Sequence, residues 1–125
     1  MEFDLLISGG QIVDGTGAPG FPGDVGIRGD RIEAIGDLSA AEAKERIDAR
    51  GLVVAPGFID PHNHANNEMA GGILELPSVE NQIRQGVTTL VAGNCGGMAR
   101  AWPLDEHFEA VSRAPIWQNY AMLLG

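Results

Sequence analysis

Up to about residue 55 the apolar positions come in short bursts separated by glycine-rich turns. Leu5-Leu6-Ile7 precedes Gly9-Gly10, and Gln11-Ile12-Val13 precedes Asp14-Gly15-Thr16-Gly17, which predicts a two-stranded start with turn chemistry on both sides. Gly20-Phe21-Pro22-Gly23 reads as a loop. Asp24-Val25-Gly26-Ile27-Arg28 and Arg31-Ile32-Glu33-Ala34-Ile35-Gly36 then alternate polar and apolar around a Gly29-Asp30 turn, as half-buried strands do. Asp37 to Ala43 reads as a polar link or a short helical turn, and Ile47-Asp48-Ala49 with Leu52-Val53-Val54 makes a last pair around Arg50-Gly51. The expectation is a small antiparallel β unit, a sandwich or half-barrel.

From Phe58 the pattern changes to β-α-β. Phe58-Ile59 is a strand, and residues 78–85 read as a helix with Ser78 as N-cap and Gly86 after its end. Val87-Thr88-Thr89-Leu90-Val91-Ala92 is β-branched and apolar, as a strand buried on both faces should be. A second helix is expected over 104–113 and a third strand over 116–122. The fold class is therefore α/β, with a β domain over 1–57 and the opening of a parallel α/β sheet or barrel, its first β/α units, over 58–125. A closed eightfold barrel needs about 250 residues, so three strands read as the front end of something larger.

Composition narrows the function classes. Apolar content of 44% and charged content of 20% fit a globular protein. A formal charge of −9 argues against nucleic-acid or anionic-membrane partners, because both need a basic face. Cys95 is the single cysteine and cannot form an internal disulfide, which suggests a reducing compartment. The start Met1-Glu2-Phe3-Asp4 does not resemble a secretory signal, and no apolar run approaches the ~20 residues of a membrane span, so the expected location is cytoplasmic.

The chemistry concentrates at strand ends, where parallel α/β sheets gather their ligands. His62 and His64, two of only three histidines, end the Phe58-Ile59 strand at i and i+2 spacing, which directs both imidazoles to one face. Such a pair can share a metal ion; the bland alternative is a surface turn. Cys95 ends the next strand in a Gly-rich turn, where a thiolate would be a third donor; the bland alternative is a small buried hydrophobe. Gly93, Gly96 and Gly97 could let backbone approach a ligand or merely turn. Asp60 reads as a cap or a partner orienting a histidine, and Asn63 as structural. Asn66, Asn67 and Glu68 lie in the loop where a substrate would enter, and Arg100, Trp102 and Pro103 could line a pocket mouth. His107, beside Glu106 on the second helix, reads as solvated, while Asn119 and Tyr120 read chiefly as core packing.

The run Ala55-Pro56-Gly57-Phe58-Ile59-Asp60-Pro61-His62-Asn63-His64 resembles the first-strand signature of the amidohydrolase superfamily. Gly9 to Gly17 and Gly29 to Gly36 look like that superfamily's N-terminal β domain. The segment from Gln85 to Gly97, with its Gly93-Asn94-Cys95-Gly96, is similar to the N-acyl-D-amino-acid deacylase branch, as is Asn119 to Gly125. In that branch a cysteine takes the ligand position that related hydrolases fill with a carboxylated lysine. The resemblance implies a zinc-dependent hydrolase of linear amides, holding one or two Zn2+ ions and acting on small N-acyl amino acids. It implies His62, His64 and Cys95 as metal ligands. Further histidines from the fifth and sixth strands and a general-base aspartate from the eighth would lie beyond residue 125. These 125 residues alone are therefore expected to be inactive, and to need the rest of the barrel or self-association to cover an open sheet edge. Ala65-Asn66 stands where many relatives carry acidic residues, which bears on substrate identity. Two alternatives are an amidohydrolase of cyclic amides or D-dipeptides, and a non-catalytic truncated relative.

Overall fold

The computed structural model describes residues 2–65, 72–96 and 103–123. The chain divides into two compact units, Met1–Pro56 and Gly57–Gly125.

In the first unit, β1 (Glu2–Ile12) is one long strand rather than the expected pair. Gly9-Gly10 does not turn the chain back. It makes a bulge, with Gly9 at φ 76, and the pairing with β2 (Phe21–Arg28) shifts register between Ile7 and Gly10. The expected loop at Phe21-Pro22-Gly23 is likewise the start of β2, paired with the end of β1. β3 (Arg31–Gly36) joins antiparallel to β2, whereas β4 (Glu42–Asp48) and β5 (Val53–Val54) join parallel to successive stretches of β1. The antiparallel sandwich expected from the turns is thus one mixed five-stranded sheet. Turn residues disclose where a chain bends, not which strand it then meets.

Phe3, Leu6, Ile12 and Val25 form the core of this unit. Asp24 is buried among them because its carboxylate accepts two backbone N–H groups, from Gly9 at 2.7 Å and from Leu38 at 2.9 Å. It pins the bulge and the start of the β3–β4 link together, which is the pairing a buried carboxylate requires. Gly26 faces the Phe3 ring so closely that a Cβ there would lie 2.6 Å from ring carbons.

The second unit is a parallel sheet in the order β6 (Phe58–Asp60), β7 (Val87–Ala92), β8 (Asn119–Met122). Among the described residues, the connection from β6 to β7 holds two single helical turns, α1 (Gly72–Glu75) and α2 (Glu80–Ile83), instead of one helix over 78–85. Ser78 does not cap it. Pro77 interrupts the run, and Val79 precedes α2 at φ 37 with no side-chain cap. Gly86 stops the segment at φ 83. α3 (Leu104–Arg113) matches the expected helix, while β8 begins at Asn119 rather than 116.

One correction concerns α3. His107 is buried, not solvated, because the helix lays this face against β8. Its Nε2 lies 3.3 Å from the Tyr120 hydroxyl, and its ring meets Phe108 edge-on. Burial pushes the His107 imidazole below its ordinary value and Tyr120 up to about 12. Among the described residues, no helix is long and apolar enough to cross a membrane.

Two outcomes follow from this packing. Gly26→Ala should destabilise the first unit by about 1–3 kcal/mol through overpacking, read as a lowered urea midpoint. Tyr120 is the single tyrosine, so an ultraviolet titration reports it alone. Because the native state favours the neutral phenol, its stabilising effect is complete below the unfolded value near 10 and is lost as pH rises towards 12. Tyrosinate absorbance should therefore appear near pH 12, or with unfolding, and a midpoint near 10 in the folded chain would contradict the packing.

Candidate metal centre

β6 and β7 run parallel with Asp60 opposite Leu90, so their C-terminal tips end side by side. Each tip must then leave the sheet without stranding its backbone polar groups. At the β6 tip, the Asp60 carboxylate accepts the His62 N–H at 3.2 Å and the Asn63 Nδ2 at 2.9 Å. Asn63 is buried; its own N–H donates to the Val91 carbonyl at 3.0 Å and its Oδ1 accepts from the Ala65 N–H at 2.6 Å. The Asn63 side chain holds the Asp60 carboxyl below its ordinary value against the opposing effect of burial, and the His62 amide adds to it. Asp60 is thus a cap on the turn and Asn63 is structural, the roles their positions suggested.

At the β7 tip, Gly93 takes φ 82, and a Cβ there would lie 2.2 Å from the Leu123 carbonyl oxygen. The close approach is to the backbone following β8, not to a ligand. A single 3₁₀ turn, Asn94–Gly96, follows. Within it Cys95 adopts the left-handed conformation (φ 58, ψ 28), which costs a non-glycine residue on the order of 1–3 kcal/mol.

These two turns bring the three expected donors together. Cys95 Sγ lies 3.4 Å from His62 Nε2. The His62 and His64 rings stack with centroids 5.4 Å apart and planes inclined by 26°. One donor atom from each of the three residues lies within 4.8 Å of the others, and all three side chains are exposed. The histidines sit just past the end of β6 rather than on it, so the turn, and not the pleat alone, sets their alignment.

The donor set fits a borderline-soft divalent cation. Zinc bonds of about 2.0–2.1 Å to nitrogen and 2.3 Å to sulfur place tetrahedral ligand atoms roughly 3.5 Å apart. The separation of 3.4 Å between Cys95 Sγ and His62 Nε2 already matches that value. Beside His64 an open cavity of about 480 Å³ is lined also by Leu76, Ser78, Asn81 and Gln82.

The remaining candidates are dispersed. Pro103 is exposed at the start of α3, Glu106 is exposed upon it, and Asn119 donates to the Thr88 carbonyl and Thr89 hydroxyl of β7. Tyr120 packs with His107. Asn66, Asn67, Glu68, Gly97, Arg100 and Trp102 lie outside the described residues. One residue that the sequence did not single out is Asn94, whose Nδ2 donates to the Val91 carbonyl at 2.9 Å. Its signal was present only as a carboxamide directly before the cysteine.

Residues 45–121 match the amidohydrolase family. The chain is 55% identical, over 75% of its length, to a D-aminoacylase of Alcaligenes xylosoxydans xylosoxydans, of which it covers 19%. It is 44% identical, over 99% of its length, to the N-acyl-D-glutamate deacylase of the same organism, covering 25% of that protein. Its structure is similar to that of the N-acyl-D-glutamate deacylase from Bordetella Bronchiseptica, solved with zinc and a phosphonate mimic of the tetrahedral intermediate. There the TM-score is 0.83 and the identity 36%, covering 100% of this chain and 30% of the other. The chain therefore spans about a fifth to a quarter of the length of these curated relatives.

Asn63→Ala tests the β6 turn. It leaves the Ala65 N–H and one Asp60 oxygen without their partner, so a loss of about 1–3 kcal/mol is expected. Urea unfolding should show this loss, with a much smaller one for the exposed carboxamide in Asn119→Ala.

Proposed function

Because the chain belongs to the amidohydrolase family, we propose that its second unit forms the first β/α units of a metal-dependent hydrolase barrel. The reaction proposed is cleavage of the linear amide of N-acyl-D-amino acids. The observation that carries this reading is the convergence of Cys95, His62 and His64 within 4.8 Å at the tips of neighbouring parallel strands. Substrate class is supported by the names of the relatives, a D-aminoacylase and an N-acyl-D-glutamate deacylase. Zinc is supported by the donor chemistry and by the zinc complex of the similar deacylase.

Each residue has a definite part. His62 and His64 bind as neutral imidazoles, and Cys95 binds as a thiolate, which offsets one unit of the cation's charge. Asp60 accepts the His62 N–H, and Asn63 in turn holds the Asp60 carboxylate, which fixes the turn that carries the two rings. A Zn2+ ion held there would lower the pKa of its water towards roughly 7 and polarise the scissile carbonyl. The cavity beside His64 provides room for part of a small substrate next to the donors. No described residue is assigned the proton transfer to the leaving amine.

The first unit is proposed to be the family's β domain. Its role here is structural, since none of the three donors comes from it.

Zinc retention after dialysis checks the metal assignment. The wild-type chain should keep stoichiometric zinc, and His62→Ala and Cys95→Ser should each abolish that retention. To check substrate class, the chain can replace the aligned segment of the Alcaligenes D-aminoacylase. Hydrolysis of N-acyl-D-amino acids should survive the graft and disappear with Cys95→Ser. A wild-type chain that retains no zinc, or a Cys95→Ser graft that stays fully active, would overturn the reading.

A further inference from the structure

We propose that Asn94 is a positioning residue that sets the separation between the two donors Cys95 and His62, an inference that rests on the metal-holding role given above. Asn94 immediately precedes Cys95, and Pro61 immediately precedes His62. The Asn94 Nδ2 has two hydrogens. One donates to the Val91 carbonyl at 2.9 Å, and the other reaches the Pro61 carbonyl at 3.5 Å. The carboxamide thus ties together the backbone one residue upstream of each donor.

The Val91 carbonyl is the common anchor. Its two lone pairs accept the Asn94 Nδ2 and the Asn63 N–H, at 2.9 and 3.0 Å. Both loops are therefore referred to a single oxygen on β7, a strand whose Leu90 and Ala92 are completely buried. Without this clasp the sheet pairing of β6 and β7 still aligns the strands. It does not fix the turn in which Cys95 sits at positive φ, where the backbone is not at its own minimum. A side chain with no N–H cannot make either link, and one with a single donor can make only one.

The test uses cobalt(II), whose thiolate charge-transfer band in the near ultraviolet reports sulfur bonding directly. Asn94→Ala and Asn94→Leu should weaken cobalt binding by about 10–100-fold, the usual effect of removing a residue that orients a ligand. The charge-transfer band at saturation should weaken while the far-ultraviolet spectrum stays native. Asn119→Ala, which removes an exposed carboxamide that bonds Thr88 and Thr89 instead, should leave affinity and band unchanged. Hydrogen exchange on the metal-free chain supplies a second readout. The Asn63 amide, bonded to the same Val91 carbonyl, should exchange faster in Asn94→Ala. Wild-type affinity with an undiminished band in both Asn94 variants would overturn the proposal while leaving the metal assignment standing. Failure of the wild-type chain to bind cobalt would overturn the metal assignment and this proposal with it. Faster Asn63 exchange would then show only that the clasp holds the turns.

Discussion

The parallel register of β6 against β7 is the constraint on which the candidate centre depends. With Asp60 opposite Leu90, β7 runs on two residues to Ala92, and the residues that follow β6 lie beside this end of β7, next to the turn that holds Cys95. A slip of one residue would send Cys95 and the histidines to different heights and reverse the faces of Leu90 and Val91. The buried Leu90 and Ala92 make such a slip costly. What looks like a site built by loops is therefore fixed mainly by the packing of a strand.

The juxtaposition of His62, His64 and Cys95 was largely legible in the sequence because its signal is local. Strand periodicity placed His62 and His64 near a strand end, and the β-branched run 87–92 placed Cys95 at the end of the next. Parallel pairing then needed only the β-α-β pattern between them. The order of strands in the first unit was not legible, because it is decided by long-range pairing. Nothing local at Glu42–Asp48 shows that it runs parallel to β1. The paired glycines at 9 and 10 have the composition of a turn, yet they form a bulge because Asp24, far along the chain, accepts the Gly9 N–H. His107 was misplaced for the same reason. The residues before it on α3, Asp105 and Glu106, are charged, while the group that receives it, Tyr120, belongs to a strand thirteen residues away.

Each unit buries a short polar side chain that makes two hydrogen bonds. In the first unit Asp24 accepts backbone N–H groups from two segments, the β1 bulge and Leu38. In the second, Asn63 links the Asp60 carboxylate to the Ala65 N–H within one turn. In each case a buried polar residue fixes where a strand stops or bends, which apolar contacts alone leave loose.

The exposure of Cys95, His62 and His64 has a kinetic consequence. In this chain a hydrated ion can reach all three donors by diffusion after the fold is complete. Loading is then decoupled from the moment of folding.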